Sequence, residues 1–250
     1  MKILGISGRK QSGKNTTANI LHGISLKNNG LIKDWNISQN GGLMILTENK
    51  DGKEGWGEFD VSRRDESFVQ YAEHNMWPYV KLYSFADHLK LICLKLFDIP
   101  RECLWGTDEE KNLKQDHLRW ENMPCLEMFN NPKRKGAMTS REFMQFFGTD
   151  VMRKMYEPVW VKSCLATIQD EKSELAIIAD VRFPNEAKAI QEVGGNLVRL
   201  TRRVFEDNHS SEIALDKYPF TDIIDNSENS IDGMMVKVSN FYSSLQETKC

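Results

Sequence analysis

The chain has 250 residues, a formal net charge of −3 and 28% charged residues. That length buries a full core and fits one α/β domain with insertions, while the weak acidity supplies no field to draw nucleic acid or an anionic membrane surface. No apolar run approaches the roughly 18 residues that span a bilayer. The five cysteines and five histidines follow no metal-ligand spacing, so reduced thiols, a cytosol-like compartment and no zinc site are expected.

The opening stretch organises the rest. Lys2–Ile6 is a short apolar run suited to a buried strand, and its position leaves no room for a signal peptide. Gly8, four residues, then Gly13 and Lys14 fit a phosphate-binding loop, and residues 16–22 read as the helix that follows. In that arrangement backbone N–H groups and a helix N-terminus converge on one phosphate, and Lys14 reaches the outer phosphates as a point charge. Gly8, Lys10, Ser12, Gly13, Lys14, Asn15 and Thr16 are therefore the candidate residues for a nucleoside triphosphate. The pattern places Ser or Thr after the lysine as a magnesium ligand, and this chain has Asn15 and then Thr16. The Asn15 carbonyl is one candidate donor for a hard cation; the Thr16 hydroxyl is another, for a phosphate or the metal's shell.

Residues 35–78 read as an insertion. Leu43–Thr47 and Gly57–Val61 flank a polar stretch with a turn at Asp51-Gly52, which predicts a β-hairpin serving as surface decoration or, second, as a dimer contact. Core strands return at Tyr79–Phe85, followed by a helix over Ala86–Phe97 with Leu89, Ile92, Leu96 and the Cys93/Phe97 pair on its apolar face. Lys90 then lies near a strand's C-terminal end, where open α/β sheets carry their ligand crevice. Residues 101–138, with the basic triplet Lys133-Arg134-Lys135, are long for a structureless loop and read either as a substrate-covering lid or as a solvated charge run. Thr139 and Glu142 form a capping box that opens a helix to about Phe147. Arg141 in its first turn opposes the helix dipole unless an anion binds there. Gly148-Thr149-Asp150 is expected to break or restart that helix, and Glu157–Val161 begins another.

Leu175–Ala179 is an apolar run ending in Asp180, as expected for a strand buried on both faces. Pro184 stands at a natural first helical position, with Asn185–Val193 continuing the helix and Gly194-Gly195 stopping it. A strand over Asn196–Thr201, the basic turn from Arg202, a unit at Thr221–Asn226 and a helix from about Ser230 to Leu245 complete the chain. Alternating strands and helices predict a largely parallel sheet flanked by helices. A carboxylate such as Asp180 at the end of a buried strand suits hydrated magnesium, and Arg182 suits a phosphate or the charge of a phosphoryl group in transfer, although Asp180 would also serve as a helix cap. Candidate arginines (Arg141, Arg182, Arg202, Arg203) outnumber any visible catalytic base. A phosphate monoester acceptor needs no base, since its second pKa is about 6. A P-loop kinase for another small acceptor, such as a nucleoside or coenzyme precursor, and a non-kinase nucleotide switch stay open.

Taken together, Ser7–Ala18, Leu89-Lys90, Arg141 through Met144-Gln145, Gly148-Thr149-Asp150, Trp160-Val161-Lys162, Asp180-Val181-Arg182 and Ile224-Asp225-Asn226 resemble the bacteriophage deoxynucleoside monophosphate kinases, in the same order. The resemblance spans most of the chain outside residues 35–78. It implies a P-loop kinase fold, the host cytoplasm, and transfer of the γ-phosphoryl of ATP to a deoxynucleoside monophosphate with magnesium. It further implies that Lys14 and its loop hold ATP and that Arg202 contacts the donor's adenine or phosphates. Lys90, Arg141, Asp150, Trp160 and Arg182 would lie at the acceptor, although Trp160 reads equally as a core aromatic; Glu186 would orient Arg182 or a sugar hydroxyl, and Asp180 would organise the metal. Homodimer formation is a further expectation by the same analogy, with no nucleic-acid or membrane partner. His209-Ser210-Ser211-Glu212 resembles a family turn without an assigned chemistry.

Overall fold

The structure is a computed structural model that describes residues 1–48, 51–124, 134–203, 213–228 and 230–247. The chain divides into two compact units, Met1–Ser84 with Leu165–Cys250, and Phe85–Cys164. In chain order the described elements begin with β1 (Lys2–Ser7), α1 (Lys14–Asn28), β2 (Asp34–Ile37), β3 (Leu43–Glu48), β4 (Glu54–Phe59), α2 (Glu66–Asn75) and β5 (Val80–Tyr83). Next come α3 (Asp87–Leu96), α4 (Arg101–Trp105), α5 (Asp108–Lys111), β6 (Lys114–Arg119), β7 (Ala137–Thr139) and α6 (Ser140–Gln145), which runs on as π-helical turns over Phe146–Arg153. The last are α7 (Val159–Glu171), β8 (Leu175–Val181), α8 (Pro184–Glu192), β9 (Asn196–Leu200), β10 (Asp222–Ile224) and α9 (Ile231–Glu247).

The first unit is built on a five-stranded sheet in the order β10-β9-β1-β8-β5, with every pair parallel. Ile3, Leu4 and Ile6 of β1 and Leu175, Ile177 and Ile178 of β8 are all buried. Burial on both faces is why these strands read as continuous apolar runs instead of alternating ones. α1 and α9 lay Ala18, Leu21, Met234, Val238 and Phe241 into one cluster with Leu4, Ile177 and Val198. This is a P-loop kinase fold: a parallel sheet flanked by helices, with the glycine loop leaving its central strand.

The predicted hairpin is present as β3 paired with β4, from Leu43↔Phe59 to Glu48↔Glu54. A third strand, β2, pairs on its other side, and α2 follows, capped by Asp65, whose carboxylate accepts from Phe68 N at 3.1 Å. β2 escapes the sequence because Ile37 is its single buried residue, which leaves no period-two signal. The expected role of surface decoration does not hold. Ile37, Leu43, Val61, Phe68, Ala72 and Met76 all join the main core cluster, at about 1.5–3 kcal/mol for each large side chain removed from water.

In the second unit, residues expected to be irregular carry α4, α5 and the antiparallel pair β6–β7. Only Gln115 and Leu118 of β6 are buried, too sparse a pattern to announce a strand. Leu104, Leu118, Trp120 and Met138 pack with Cys93, Phe143, Phe146 and Trp160, and Phe97 lies 4.7 Å from Phe143 and 5.1 Å from Phe147 between ring centroids. The buried face of α3 is thus Leu89 and Cys93, completed by Phe97. Leu96, expected on that face, is 74% exposed because the aromatic cluster takes the i, i+4, i+8 stripe. The expected break at Gly148 is a continuation of the helix in π-helical form. Lys133 of the basic triplet, and His209 with Ser210, Ser211 and Glu212, lie outside the described residues.

Candidate active site

The glycine loop leaves β1 at Ser7 and closes on α1 at Gly13, whose φ of 96° is a left-handed conformation that an L side chain would strain. Space is short there as well, since a Cβ at Gly13 would sit 3.0 Å from Met234 Cε. A turn bond from Ser12 N to Arg9 O at 3.0 Å folds the loop back on itself. Lys14 Nζ lies over that fold, donating to Gly8 O at 2.6 Å and Arg9 O at 2.7 Å. Ser12 is fully buried, and its hydroxyl has no hydrogen-bond partner among the described residues. Its carbonyl accepts from Asn226 Nδ2 at 2.7 Å, and Asn226 Oδ1 accepts from Arg202 N at 2.9 Å. Asn226, which follows β10, thereby ties the loop to the chain just beyond β9. Next to it, Asp225 is held down to about 2, chiefly by the Thr201 hydroxyl.

In the first turn of α1, Asn15 is exposed and Thr16 half-buried. The Thr16 hydroxyl faces Gly41 (φ 85°) in the turn between β2 and β3 so closely that a Cβ there would collide with it. Asn19 Nδ2 donates to the carbonyl of the same glycine at 2.8 Å. Further along α1, His22 is fully buried; its Nδ1 donates to Ala18 O at 2.8 Å, and its Nε2 has no partner among the described residues. Burial first, with the Arg64 charge adding to it, lowers its pKa to about 4.

Asp180 lies one residue before the end of β8, the strand directly beside β1, where Ser7 and Val181 are in register. Its Oδ2 accepts from Ser84 Oγ at 2.6 Å, a hydroxyl presented just after β5. The end of the sheet therefore places one oriented carboxylate on the strand beside the phosphate loop. Magnesium in such sites takes one or two carboxylates and fills its octahedron with water and phosphate oxygens. The donor set present, with Asp180 and the exposed Asn15 amide, fits that cation. Arg182 is exposed beyond the strand, and its backbone is fixed by the buried Glu186. Glu186 Oε2 accepts from Arg182 N at 2.8 Å and Phe183 N at 3.0 Å, capping α8 and holding the turn that presents the arginine.

Lys10 is exposed on the loop, and the remaining candidates belong to the second unit. The capping box is present: Thr139 N donates to Glu142 Oε2 at 2.9 Å and Glu142 N to Thr139 Oγ1 at 3.1 Å. Arg141 in the same turn donates to Asp108 Oδ1 at 2.7 Å and Asn112 Oδ1 at 3.2 Å. Lys90 Nζ lies 5.5 Å from the centroid of the Trp105 ring. Asp150 is half-buried on the π-helical turns. Trp160 is 4% exposed within the core cluster, and its Nε1 donates to Gly148 O at 2.9 Å. That is the placement of a core aromatic, with its one polar atom spent on a carbonyl of the irregular helix.

Sequence reasoning did not single out Ser84 or Arg199, nor Asp216, and it gave Asn226 no role. Each acts through a contact distant in sequence, and no local motif announces such a contact. Ser84 had one available signal, its position just past a core strand.

A sequence model of the deoxynucleotide monophosphate kinase family matches residues 92–238, more than half of the chain, and the chain belongs to that family. It is accordingly a kinase, a phosphotransferase. A protein of Acanthamoeba polyphaga mimivirus named as a deoxynucleotide monophosphate kinase is 30% identical over 158 residues, covering 56% of this chain and 72% of that protein. The deoxynucleoside-5'-monophosphate kinase of Escherichia phage T5 is 26% identical over 150 residues, 55% of this chain and 57% of its own length. The family match begins after the phosphate loop, so the loop is independent support for the same class.

Proposed function

We infer that this protein transfers the γ-phosphoryl group of ATP to a deoxynucleoside 5'-monophosphate. An ionised oxygen of the acceptor phosphate attacks the γ-phosphorus, the bond from that phosphorus to the β,γ-bridging oxygen breaks, and ADP leaves beside the new diphosphate. The observation that carries the reading is the pairing, on adjacent strands, of the Lys14 loop and the Ser84-held Asp180 in a chain of this family. Positioning and charge neutralisation are what phosphoryl transfer needs from a protein, and no general base is required for an acceptor already ionised near neutral pH.

In this reading Gly8–Thr16 and Lys14 hold the donor's phosphates, and Arg202 reaches the donor from the stretch after β9 that Asn226 fixes. Asp180 and Asn15 would hold magnesium, which when bound neutralises phosphate charge. Arg182 bears on the transferring group, with Glu186 fixing its backbone. Arg141 and Lys90 bind the acceptor, whereas Trp160 supports the turn at Gly148 from within the core. The partners are small nucleotides. Homodimer formation, expected by analogy, is decided by sedimentation at assay concentration. No helix among the described residues is long and apolar enough to cross a membrane.

The test is ADP release with ATP and magnesium, offering dAMP, dGMP, dCMP, dTMP and the ribose forms one at a time. Turnover with deoxy monophosphates and near silence without an acceptor is the expected result. Steady ATP hydrolysis indifferent to any monophosphate would instead make the protein a nucleotide switch.

A further inference from the structure

The loop is held by its side chains as well as by its own backbone. Arg9, the residue after Gly8, forms an ion pair through Nη2 with Asp216 Oδ2. Arg199 Nη2 donates to the other oxygen, Asp216 Oδ1, at 2.6 Å, and Arg199 Nη1 donates to Ser7 Oγ at 2.9 Å. Ser7 is fully buried at the end of β1 and in register with Arg199 on β9. The side chains of Arg9, Arg199 and Asp216 are only 12%, 14% and 22% exposed, so this is not a solvated surface pair of small consequence. Two guanidinium groups share one carboxylate, whose charge offsets their mutual repulsion.

The backbone of Arg9 gives this contact its significance. Its carbonyl is the hub of the loop, accepting both Ser12 N at 3.0 Å and Lys14 Nζ at 2.7 Å. The residue that Asp216 anchors by its side chain is thus also the one whose carbonyl locates Lys14. We propose that Asp216 is a positioning residue for the nucleoside triphosphate: through Arg9 and Arg199 it holds the Gly8–Gly13 loop in its phosphate-accepting shape. The inference rests on the donor-binding part of the proposed function and is independent of the acceptor. Asp216 touches no nucleotide in this account; it acts through two arginines. Asn226 braces the same loop at Ser12, so the loop is held at both its entry and its exit by groups more than two hundred residues away in sequence.

Calorimetric titration with ATP in the presence of magnesium tests it on the full chain. Asp216→Asn should bind ATP at least about tenfold more weakly, the loss expected when the charge-assisted bonds to Arg9 and Arg199 are weakened together. Asp216→Glu should recover most of that loss. The KM for the acceptor should stay near that of the unaltered protein, while the thermal midpoint falls because two largely buried guanidinium groups lose their shared carboxylate. The double variant Arg9→Gln with Asp216→Asn should bind no more weakly than the weaker single variant, since both break the same link. Unchanged ATP affinity in Asp216→Asn, additive losses in the double variant, or an acceptor KM that rises in parallel would each overturn the proposal. If Asp216→Asn does not fold, Arg9→Gln alone decides, because it leaves the Arg199 contacts with Asp216 and Ser7 in place, and normal ATP affinity there refutes the link. Wild-type protein that binds ATP yet phosphorylates no deoxynucleotide would count against the proposed acceptor and leave this inference standing.

Discussion

The two units hold their candidate groups by different means. In the first, Lys14, Asp180 and the Arg182 backbone sit at the ends of buried parallel strands or just beyond them, each fixed by a loop carbonyl, a hydroxyl or a buried carboxylate. In the second, Arg141 is 42% exposed and paired with an Asp108 that is 73% exposed. An exposed pair of that kind contributes at most about 1 kcal/mol. The contrast suggests a division of labour. In the proposed function the groups assigned to the transferring phosphoryl are pre-set by loop carbonyls, a half-buried hydroxyl and a buried carboxylate, while the cation assigned to the acceptor is held loosely enough to exchange Asp108 for an incoming anion.

Substitutions can break or sharpen this comparison. Lys14→Ala is expected to have the largest effect, abolishing ADP release with its folded state intact by circular dichroism. Arg182→Ala should lower kcat by roughly 10²–10³ when transition-state charge loses a cation, and an unchanged kcat would remove Arg182 from the site. Trp160→Ala acts on the second unit's packing. It should cost about 3–5 kcal/mol in urea unfolding, chiefly through the cavity left in the aromatic cluster. A loss under about 1 kcal/mol would return Trp160 to the candidate acceptor residues.

His22 tests the buried framework of the first unit. Its folded pKa of about 4 lies below the ordinary 6.5, so the unfolded chain takes up a proton between those values that the folded chain refuses. The stability attributed to neutral His22 is complete above pH 6.5 and falls as pH drops towards 4, by about 3 kcal/mol in all. His22→Leu should flatten that part of the stability–pH curve; an unaltered slope would assign it to other groups. The smallest stability change belongs to Arg141→Ala, below about 1 kcal/mol, together with a higher KM for the monophosphate and an unchanged KM for ATP. If the KM for ATP moved as well, the contrast between the two units would weaken.

The sequence disclosed what local pattern encodes. Gly8, Gly13 and Lys14 between a strand and a helix, the run ending in Asp180, Pro184 at a helix start and the Thr139–Glu142 box all lie where the periodicity and capping rules put them. What it hid depends on contacts between distant segments. β2 carries one inward residue, β6 only two, and Leu96 loses its place to an aromatic cluster whose members come from three elements or their flanks. Asp216 and Asn226 are ordinary polar residues in sequence and become braces only when β9 and β10 lie beside the loop.

The docking of Gly41 against Thr16 bears on how far this chain can be trimmed. Residues 34–59 look dispensable on paper, yet excising them would remove Ile37 and Leu43 from the core and uncover the first turn of α1 in the same cut. The smallest working version of the protein therefore keeps β2, β3 and β4. The exposed Asp51-Gly52 tip is where a tag or a foreign loop can be grafted, because the ladder below it is already closed by Glu48 and Glu54.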